Sequence, residues 1–344
     1  MKALVKEKSA KGLVIKDVPV PEPGDDDVLI RIRAAGICGT DVHIYDWDEW
    51  SQNRIHPPLI TGHELVGEVA VLGKSVHGVD IGQRVSAEGH IACGQCEFCR
   101  TGQAHICRDV EIIGVDRDGC FAEYMCIDAG NLWPVPDAIP DHIASIFDPV
   151  GNAMHTVMAE PVAGKSVLVT GAGAIGLFAV AIARSAGASS IVVIEPNDFK
   201  RKSARNAGAD ITLSPSDDNL EEIILDYTYG LGPQVLLEMS GHPGAIKTGL
   251  HLLRNGGCAC VLGIPSKPID NLEWARDIVF KGITIKAING RRMYDTWFQT
   301  QSFMLREQKS INNLITHRLP FEQFEHGFDL LHNGDAIKIV LEMT

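Results

Sequence analysis

Four cysteines close together in the chain have the spacing of metal ligands. Cys93, Cys96, Cys99 and Cys107 form the pattern C-x2-C-x2-C-x7-C. Four thiolates can surround one tetrahedral zinc ion, and the two-residue gaps let the loop wrap around it. An iron–sulfur cluster and a set of free thiols are the alternatives. We expect zinc, and because four protein ligands leave no position for a substrate, the predicted role is structural.

A second set of residues could hold a metal ion with an open coordination position. Cys38 ends one apolar segment, His63 and Glu64 precede another, and Asp148 lies much further along the chain. A catalytic zinc ion takes three protein ligands and keeps one position for substrate. A single cysteine or histidine is more often structural, and sequence spacing alone does not bring these residues together.

A glycine-rich turn predicts a dinucleotide site. Gly171, Gly173 and Gly176 follow the apolar run 167–170 and open an alanine-rich helix, as in the G-x-G-x-x-G fingerprint. Glu195 ends the next apolar run, about 20 residues further on, where a carboxylate binds ribose hydroxyls and repels a 2′-phosphate. NAD is therefore predicted over NADP. The basic residues that could instead accept that phosphate are Lys200, Arg201 and Lys202.

The elements that must position these residues change in character near residue 150. Before it, short β-like runs such as 28–33 and 65–72 alternate with Gly and Pro, which predicts a small antiparallel barrel. After it, β-like and helical runs alternate, which predicts a doubly wound parallel sheet. The predicted domains are residues 1–149, with the cysteine lobe at about 90–108, then 150–290, and a tail, 291–344, that returns to the first domain.

Composition narrows the kinds of partner. The 344 residues carry a net charge of −13, which argues against a nucleic-acid-binding surface. The first residues contain no apolar signal core, and the longest apolar stretch, 167–194, is interrupted by Gly, Ser and Arg. Nine cysteines with metal-like clustering suit a reducing compartment. We expect a cytoplasmic enzyme without a nucleic-acid or membrane partner.

One further pattern connects these features to a known family. The stretch Gly62-His63-Glu64-x2-Gly67-x5-Gly73-x2-Val76 resembles the zinc signature of the medium-chain alcohol dehydrogenases. The cysteine lobe, the dinucleotide turn and the change near residue 150 agree with that resemblance, which covers essentially the whole chain. It implies an α/β protein with a GroES-like β-barrel catalytic domain and a Rossmann domain, two zinc ions per chain, and a homotetramer.

The resemblance also implies roles for individual residues. Cys38, His63 and Glu64 would hold the catalytic zinc, with Asp148 close by, and Thr40 and His43 would carry the released proton to solvent. Glu195 and Lys200 stand where we expect Asp and Arg in the commonest form of the family, and both keep the charge. The residues expected to bind NAD are Gly171, Gly173, Ile175, Gly176, Glu195, Lys200, Leu262, Gly263, Ile264, Ile288 and Asn289.

The expected substrate follows from more local resemblance. The stretches 38–50, 88–91, 114–117 and 147–156 resemble a branch of the family that oxidises the secondary alcohol of L-threonine with NAD. A polyol or 2,3-butanediol is the alternative substrate, and a nucleotide-binding protein without activity is the alternative class. Glu88, His90 and residues 45–50 are candidates for holding the ammonium and carboxylate of an amino-acid substrate.

Overall fold

The chain folds into two units in the computed structural model, which describes residues 1–343. One unit comprises residues 1–149 and the tail from residue 292, and the other comprises residues 150–291. Strands and helices alternate in the second unit, whereas strands dominate the first. The predicted α/β class is confirmed.

The strands are numbered in chain order. They are β1 (Lys2–Lys6), β2 (Val14–Asp17), β3 (Asp27–Ile37), β4 (Leu59–Ile60), β5 (Glu64–Leu72), β6 (Arg84–Ala87), β7 (His90–Ile91), β8 (Glu111–Ile112), β9 (Tyr124–Asp128), β10 (Leu132–Pro134), β11 (Ser166–Thr170), β12 (Ser190–Ile194), β13 (Ile211–Leu213), β14 (Val235–Glu238), β15 (Cys258–Val261), β16 (Thr284–Ala287), β17 (Ile315–Pro320) and β18 (Lys338–Glu342).

The α-helices are numbered in the same way. They are α1 (Gly39–Asp46), α2 (Glu49–Arg54), α3 (Glu97–Arg100), α4 (Asp141–Ala144), α5 (Phe147–Met158), α6 (Ala174–Ser185), α7 (Asp198–Ala207), α8 (Leu220–Tyr227), α9 (Pro243–Leu252), α10 (Asp295–Arg306), α11 (Gln308–Leu314) and α12 (Phe324–Asn333). A π-helical turn covers Ala275–Val279. None of the helices in the described part of the chain is long and apolar enough to cross a membrane.

The first unit contains a seven-stranded sheet in the order β10-β6-β5-β3-β18-β17, with β9 also paired to β3. Strand β3 is central, since β5, β9 and β18 all pair with it in antiparallel orientation. Strands β17 and β18 are parallel, so the sheet is mixed rather than antiparallel throughout as the sequence suggests. The reason is that helix α12 connects these two strands, and such a crossover returns the chain in the same direction.

The residue pattern of β3 explains how it can be central. Arg31 and Arg33 are exposed and alternate with buried Ile30 and Ile32, as expected for a strand with one face on the core. From Ala34 onward every residue is buried, up to the end of the strand at Ile37. The strand therefore delivers the next residue, Cys38, directly from the core to the site described below.

The second unit is a six-stranded parallel sheet in the order β13-β12-β11-β14-β15-β16. Strands β11, β12 and β14 are apolar and buried almost throughout, as parallel strands covered on both faces require. The sequence predicts these strands and β15, but not the short strands β13 and β16. In a parallel sheet all carboxyl ends lie at one edge, and at that edge β11 neighbours β14 although two strands separate them in the chain.

Candidate active site

Three side chains with metal-binding atoms meet in the first unit. The ligand atoms of Cys38, His63 and Glu64 all lie within 4.8 Å of one another. Strand pairing brings them together, because Gly36 is the register partner of Glu64 across β3 and β5. A Cβ atom at Gly36 would overlap the Glu64 carboxylate, so this glycine makes room for that side chain. The three residues predicted to hold a metal ion with an open coordination position therefore lie together in space.

A buried aspartate links two members of this cluster. Asp41 is fully buried, and its Oδ2 accepts a hydrogen bond from the backbone N–H of Cys38 at 2.9 Å. Its Oδ1 faces Nδ1 of His63 at 4.0 Å, and neither atom has a hydrogen-bond partner among residues 1–343. A carboxylate behind a histidine orients the ring and directs its other nitrogen toward a metal ion. Sequence reasoning missed Asp41, although it lies only three residues after Cys38.

The electrostatic environment of the cluster favours a cation. Burial lowers the pKa of His63, but the neighbouring Asp41 carboxylate and Cys38 thiolate outweigh that effect and raise it to about 10. Burial raises the pKa of Asp41 and of Glu64. Ionised carboxylates and a thiolate around His63 bring negative charge into a buried place, which a bound divalent cation would neutralise. The donor set and this field fit a zinc ion.

Two further charged residues complete the surroundings of the cluster. The Nζ of Lys338 donates to Oε1 of Glu64 at 2.6 Å, and both side chains are buried. Asp148 is buried, and a Cβ atom at Gly89 would lie 3.6 Å from its Oδ2 and 3.7 Å from Cβ of His63. Asp148 is therefore close to the cluster but outside the described group of atoms within 4.8 Å. Lys338 was not predicted, since it lies 274 residues beyond Glu64 in sequence.

Helix α1 carries the two residues of the predicted proton path. Cys38 is the N-cap of this helix, Thr40 lies in its first turn, and His43 follows three residues later on the same side. His43 is exposed, and its Nδ1 is 2.6 Å from Oδ2 of Asp48. Asp48 is itself fixed, because its Oδ1 accepts the N–H of Ser51 at the start of α2.

The candidates for substrate recognition also lie in the first unit. Glu88 is fully buried and accepts hydrogen bonds from the indole N–H of Trp297 at 2.8 Å and from the backbone of His90 at 2.9 Å. Glu88 and His90 flank Gly89, which faces His63 and Asp148. The segment is thus beside the metal-binding atoms, and Trp297 comes from the tail of the chain.

The four-cysteine lobe is assembled as the spacing predicts. The Sγ atoms of Cys93, Cys96, Cys99 and Cys107 lie within 4.8 Å of one another, with separations of 3.5, 3.8 and 4.0 Å between three of the pairs. Sulfur atoms around tetrahedral zinc are about 3.8 Å apart. Backbone N–H groups point at the sulfurs and lower the pKa of Cys96 to about 6, which favours thiolate. This arrangement fits a closed zinc site.

In the second unit, the three glycines of the turn have distinct environments. Gly171 has φ +89° and lies against Ser240, whose Cβ would be 2.7 Å from a Cβ at this position. Gly173 is the N-cap of α6 and faces open space, so a phosphate could approach its backbone. A Cβ at Gly176 would overlap the carbonyl oxygen of Gly171. These three environments match the roles of the glycines in the fingerprint, which are a tight turn, close approach of the backbone to a pyrophosphate, and close packing of the helix on the strand.

Glu195 and its neighbours form the end of β12. Its Oε2 accepts the N–H of Ala172 at 2.7 Å and its Oε1 the N–H of Asn197 at 3.0 Å, which leaves lone pairs for further donors. The Arg201 guanidinium donates to the carbonyls of Glu195 and Pro196 and to Asp198. Arg201 is therefore engaged with the protein rather than extended toward a ligand.

The remaining predicted NAD residues follow strands at the same edge of the sheet. Gly263 lies against Gly241, Ile264 is 89% exposed, and Ile288 donates its N–H to Val261. Sequence reasoning missed Glu238, which ends β14 and is fully buried. The sequence did contain a signal for it, namely a charged residue at the end of an apolar strand.

Comparison with known proteins identifies the class. The family model for the alcohol dehydrogenase GroES-like domain matches residues 24–137, and the model for zinc-binding dehydrogenases matches residues 174–306. The chain belongs to the zinc-binding, medium-chain alcohol dehydrogenase family and is an oxidoreductase. The predicted family, with its GroES-like and Rossmann parts, is confirmed.

The relatives that match this chain over almost the full length carry a more specific name than that of the family. The chain is 47% identical over 341 residues to the L-threonine 3-dehydrogenase of Stenotrophomonas maltophilia (strain K279a), with 99% of each chain covered. It is 44% identical over 342 residues to the L-threonine 3-dehydrogenase of Proteus mirabilis (strain HI4320), again with 99% of each covered.

Solved structures of the family have the same fold. The alcohol dehydrogenase TADH from Thermus sp. ATN1 superposes with a TM-score of 0.91 at 26% identity, over 100% of both chains. A dehydrogenase from E. coli CFT073 in complex with NADH gives 0.89 at 26% identity over 99% of both chains. A zinc-binding dehydrogenase from Sinorhizobium meliloti 1021 bound to NADP gives 0.88 at 28% identity, over 99% of this chain and 98% of that one.

Proposed function

We propose that the protein oxidises L-threonine to 2-amino-3-oxobutyrate with NAD, forming NADH and a proton, as a step of threonine degradation to glycine. The observation that carries this proposal is the similarity to L-threonine 3-dehydrogenases over 99% of the chain. The cluster of Cys38, His63 and Glu64 agrees with it, because a secondary alcohol is activated well at an open metal site. We assign catalysis to residues 1–149, NAD binding to 150–290 and a return to the catalytic part to 291–344.

Cys38, His63 and Glu64 would hold the catalytic zinc ion. When bound, such an ion supplies Lewis acidity that favours loss of the hydroxyl proton of the substrate. Asp41 faces Nδ1 of His63 and would orient the ring electrostatically, so that Nε2 is left for the ion. Asp148 adds negative charge beside the cluster, which favours the cation.

Thr40 and His43 would move the proton to solvent. Thr40 lies two residues beyond Cys38, in the first turn of α1, so we expect its hydroxyl beside the substrate alcohol. His43 is one helical turn further and exposed. The contact between its Nδ1 and Asp48 leaves Nε2 free to exchange protons with water.

The second unit would bind NAD in preference to NADP. NAD supplies the hydride acceptor for the reaction. The open backbone at Gly173 suits the pyrophosphate, and Glu195 suits the ribose hydroxyls but repels a 2′-phosphate. Arg201 is already bound to backbone carbonyls and Asp198. Lys200 is the basic residue of α7 that we expect to contact the cofactor.

A second zinc ion in the four-cysteine lobe would be structural. All four positions of a tetrahedral ion are taken by Cys93, Cys96, Cys99 and Cys107. Such an ion would stabilise a lobe whose regular structure is limited to the two-residue strand β7, the four-residue helix α3 and a short 3-10 turn.

We further propose a cytoplasmic homotetramer. Reduced cysteine clusters suit the cytoplasm. Strand β16 lies at the edge of the parallel sheet, and large apolar side chains near it are exposed, with Phe280 at 81% and Trp274 at 59%. Such an edge is suited to contact with a second copy of the chain. Phe280→Glu should lower the molar mass in light scattering, whereas Phe199→Glu, at another exposed aromatic residue, should not.

The proposed activity can be tested by NADH formation with L-threonine, sorbitol and 2,3-butanediol as substrates, before and after chelator treatment. L-threonine should give the largest kcat/KM, and the chelator should abolish it. Faster oxidation of either diol or polyol would instead support the alternative substrate. Metal analysis should give two zinc ions per chain, one for Cys38→Ser and two for the control Cys126→Ser.

A further inference from the structure

Glu238 occupies a special position in the parallel sheet. It is the last residue of β14 and pairs with Thr170, the last residue of β11. Strands β11 and β14 are neighbours although they are not consecutive, so the strand order reverses between them. Dinucleotides bind across the crevice at such a switch point. A fully buried carboxylate at this place requires a physical explanation.

The partners of the carboxylate are hydrogen-bond donors from the adjoining loop and strand. Its Oε1 accepts from Oγ of Ser240 at 2.5 Å, from the backbone N–H of Ser240 at 3.0 Å and from that of Gly241 at 3.2 Å. The Thr170 hydroxyl lies 3.4 Å away. An ionised carboxylate only accepts hydrogen bonds, so it matches this set of donors.

The same residue connects the ends of three strands. Ser240, held by the carboxylate, packs against Gly171 at the start of the glycine-rich turn. The carbonyl oxygen of Glu238 accepts the N–H groups of Leu262 and Gly263, which follow β15. A Cβ atom at Gly263 would overlap both Oε2 of Glu238 and the backbone nitrogen of Gly241. The loops after β11, β14 and β15 therefore meet at Glu238, whose side chain holds Ser240 against Gly171 and whose backbone carbonyl holds the loop after β15.

We infer that Glu238 is a positioning residue for the nicotinamide half of the dinucleotide site, an inference that rests on the proposed NAD-dependent function. A doubly wound sheet of this kind consists of two mononucleotide-binding halves. Glu195 belongs to the half that receives the adenosine, β11 to β13, whereas Ser240, Gly241 and Gly263 belong to the half formed by β14 to β16. Glu238 fixes the backbone of that second half and does not itself touch the cofactor.

The test uses Glu238→Gln, which keeps the size of the side chain. The amide has one acceptor oxygen, and its NH2 group would face N–H donors. Kd values for NADH, from fluorescence titration, and for AMP, from calorimetry, are measured on the full chain. We expect the Kd for NADH to rise roughly tenfold, as for loss of a charge-assisted hydrogen bond, and the Kd for AMP to stay within about twofold.

Asp210→Asn is the matched control. Asp210 belongs to the same unit and pairs with Arg184 at 2.5 Å, just before β13 and therefore at the amino ends of the parallel strands, away from the proposed cofactor site. Both Kd values should be unchanged in this variant. If Glu238→Gln does not fold, Ser240→Ala decides. It keeps the carboxylate and removes the hydroxyl that donates to it at 2.5 Å and accepts the N–H of His242 at 3.0 Å. This variant should raise the Kd for NADH about threefold and leave the Kd for AMP unchanged.

Two results would overturn the inference. Unchanged NADH binding in the folded variant would show that the carboxylate does not position the site. Equal weakening of NADH binding and AMP binding would show that Glu238 stabilises the whole unit rather than the nicotinamide half. Failure of the wild-type protein to bind NADH at all would contradict the proposed function, and so is distinguishable from both.

Discussion

Lys338, on the last strand of the chain, forms a buried ion pair with Glu64 at the start of β5. Its Nζ lies 2.6 Å from Oε1 and 2.5 Å from Oε2, and the two side chains are 2% and 0% exposed. Both strands pair with β3, and Nζ also donates to the carbonyl of Ile37 at its end. The end of the chain thus supplies the counter-charge beside the proposed catalytic metal site.

Removing that ammonium should destabilise the protein strongly. In Lys338→Met the Glu64 carboxylate is left buried without its partner, which typically costs 3–5 kcal/mol of unfolding free energy, so we expect about 3 kcal/mol or more. Urea unfolding monitored by fluorescence measures it. Arg318→Met is the control, because its pair with Glu342 is half exposed and should contribute less than about 1 kcal/mol. Equal effects of both variants would contradict the assigned role of the buried pair.

Asp41→Asn should weaken zinc binding at the open site without removing a ligand. The amide no longer supplies the negative charge that orients His63 and favours a cation, and loss of such a partner typically costs 10–100-fold in metal affinity. Competition with a chromophoric chelator gives the affinity of each zinc ion. The four-cysteine site should be unaffected, and so should both sites in Asp46→Asn, whose carboxylate pairs with Lys11 and His332. Unchanged zinc affinity in Asp41→Asn would exclude the orienting role.

The second and third glycines of the turn should respond differently to alanine. Gly173→Ala adds a methyl group in open space at ordinary φ, so the melting temperature should stay the same while NADH affinity falls roughly tenfold. Gly176→Ala places a methyl group on the carbonyl of Gly171 and should cost about 1–3 kcal/mol of stability. Thermal unfolding and NADH titration of both variants measure this contrast. If Gly173→Ala instead lowered the melting temperature and left NADH affinity unchanged, Gly173 would not be the place where the backbone approaches the cofactor.

Asp277 should make part of the stability depend on acid pH. Hydrogen bonding to Arg276 and then His251 lowers its pKa from 3.8 to about 2. A depressed folded-state pKa stabilises the native state fully above pH 4, and this contribution disappears as the pH falls through about 2. The free energy of unfolding of Asp277→Asn should therefore be about 1–2 kcal/mol lower than that of the native chain at pH 6, and the difference should vanish near pH 2.

Denaturant unfolding across that pH range checks this prediction. The control is Asp270→Asn, an exposed residue of the preceding segment, which should change the free energy of unfolding by less than about 0.5 kcal/mol. A constant difference for Asp277→Asn from pH 6 to pH 2 would show that the carboxylate charge is not responsible.

Much of the architecture was predictable because it depends on local patterns. The apolar runs of β11, β12 and β14 and the glycines at 171–176 indicate a parallel sheet with a turn at its edge, whatever the rest of the chain does. Strands β13 and β16 were missed because three or four residues with exposed or polar positions carry little periodic signal. The parallel pairing of β17 and β18 was missed because strand direction depends on the connection, not on composition.

The sequence by itself determined the family, the donor types and the closed cysteine lobe, since four thiolates within fifteen residues can meet through local folding alone. Only the tertiary structure decided which distant groups surround those donors. Strand register places Glu64 opposite Gly36 and brings Lys338 to it, and strand order places Glu238 at the switch point. The physical reason is that register and strand order depend on burial and pairing across the whole sheet, which no short segment encodes.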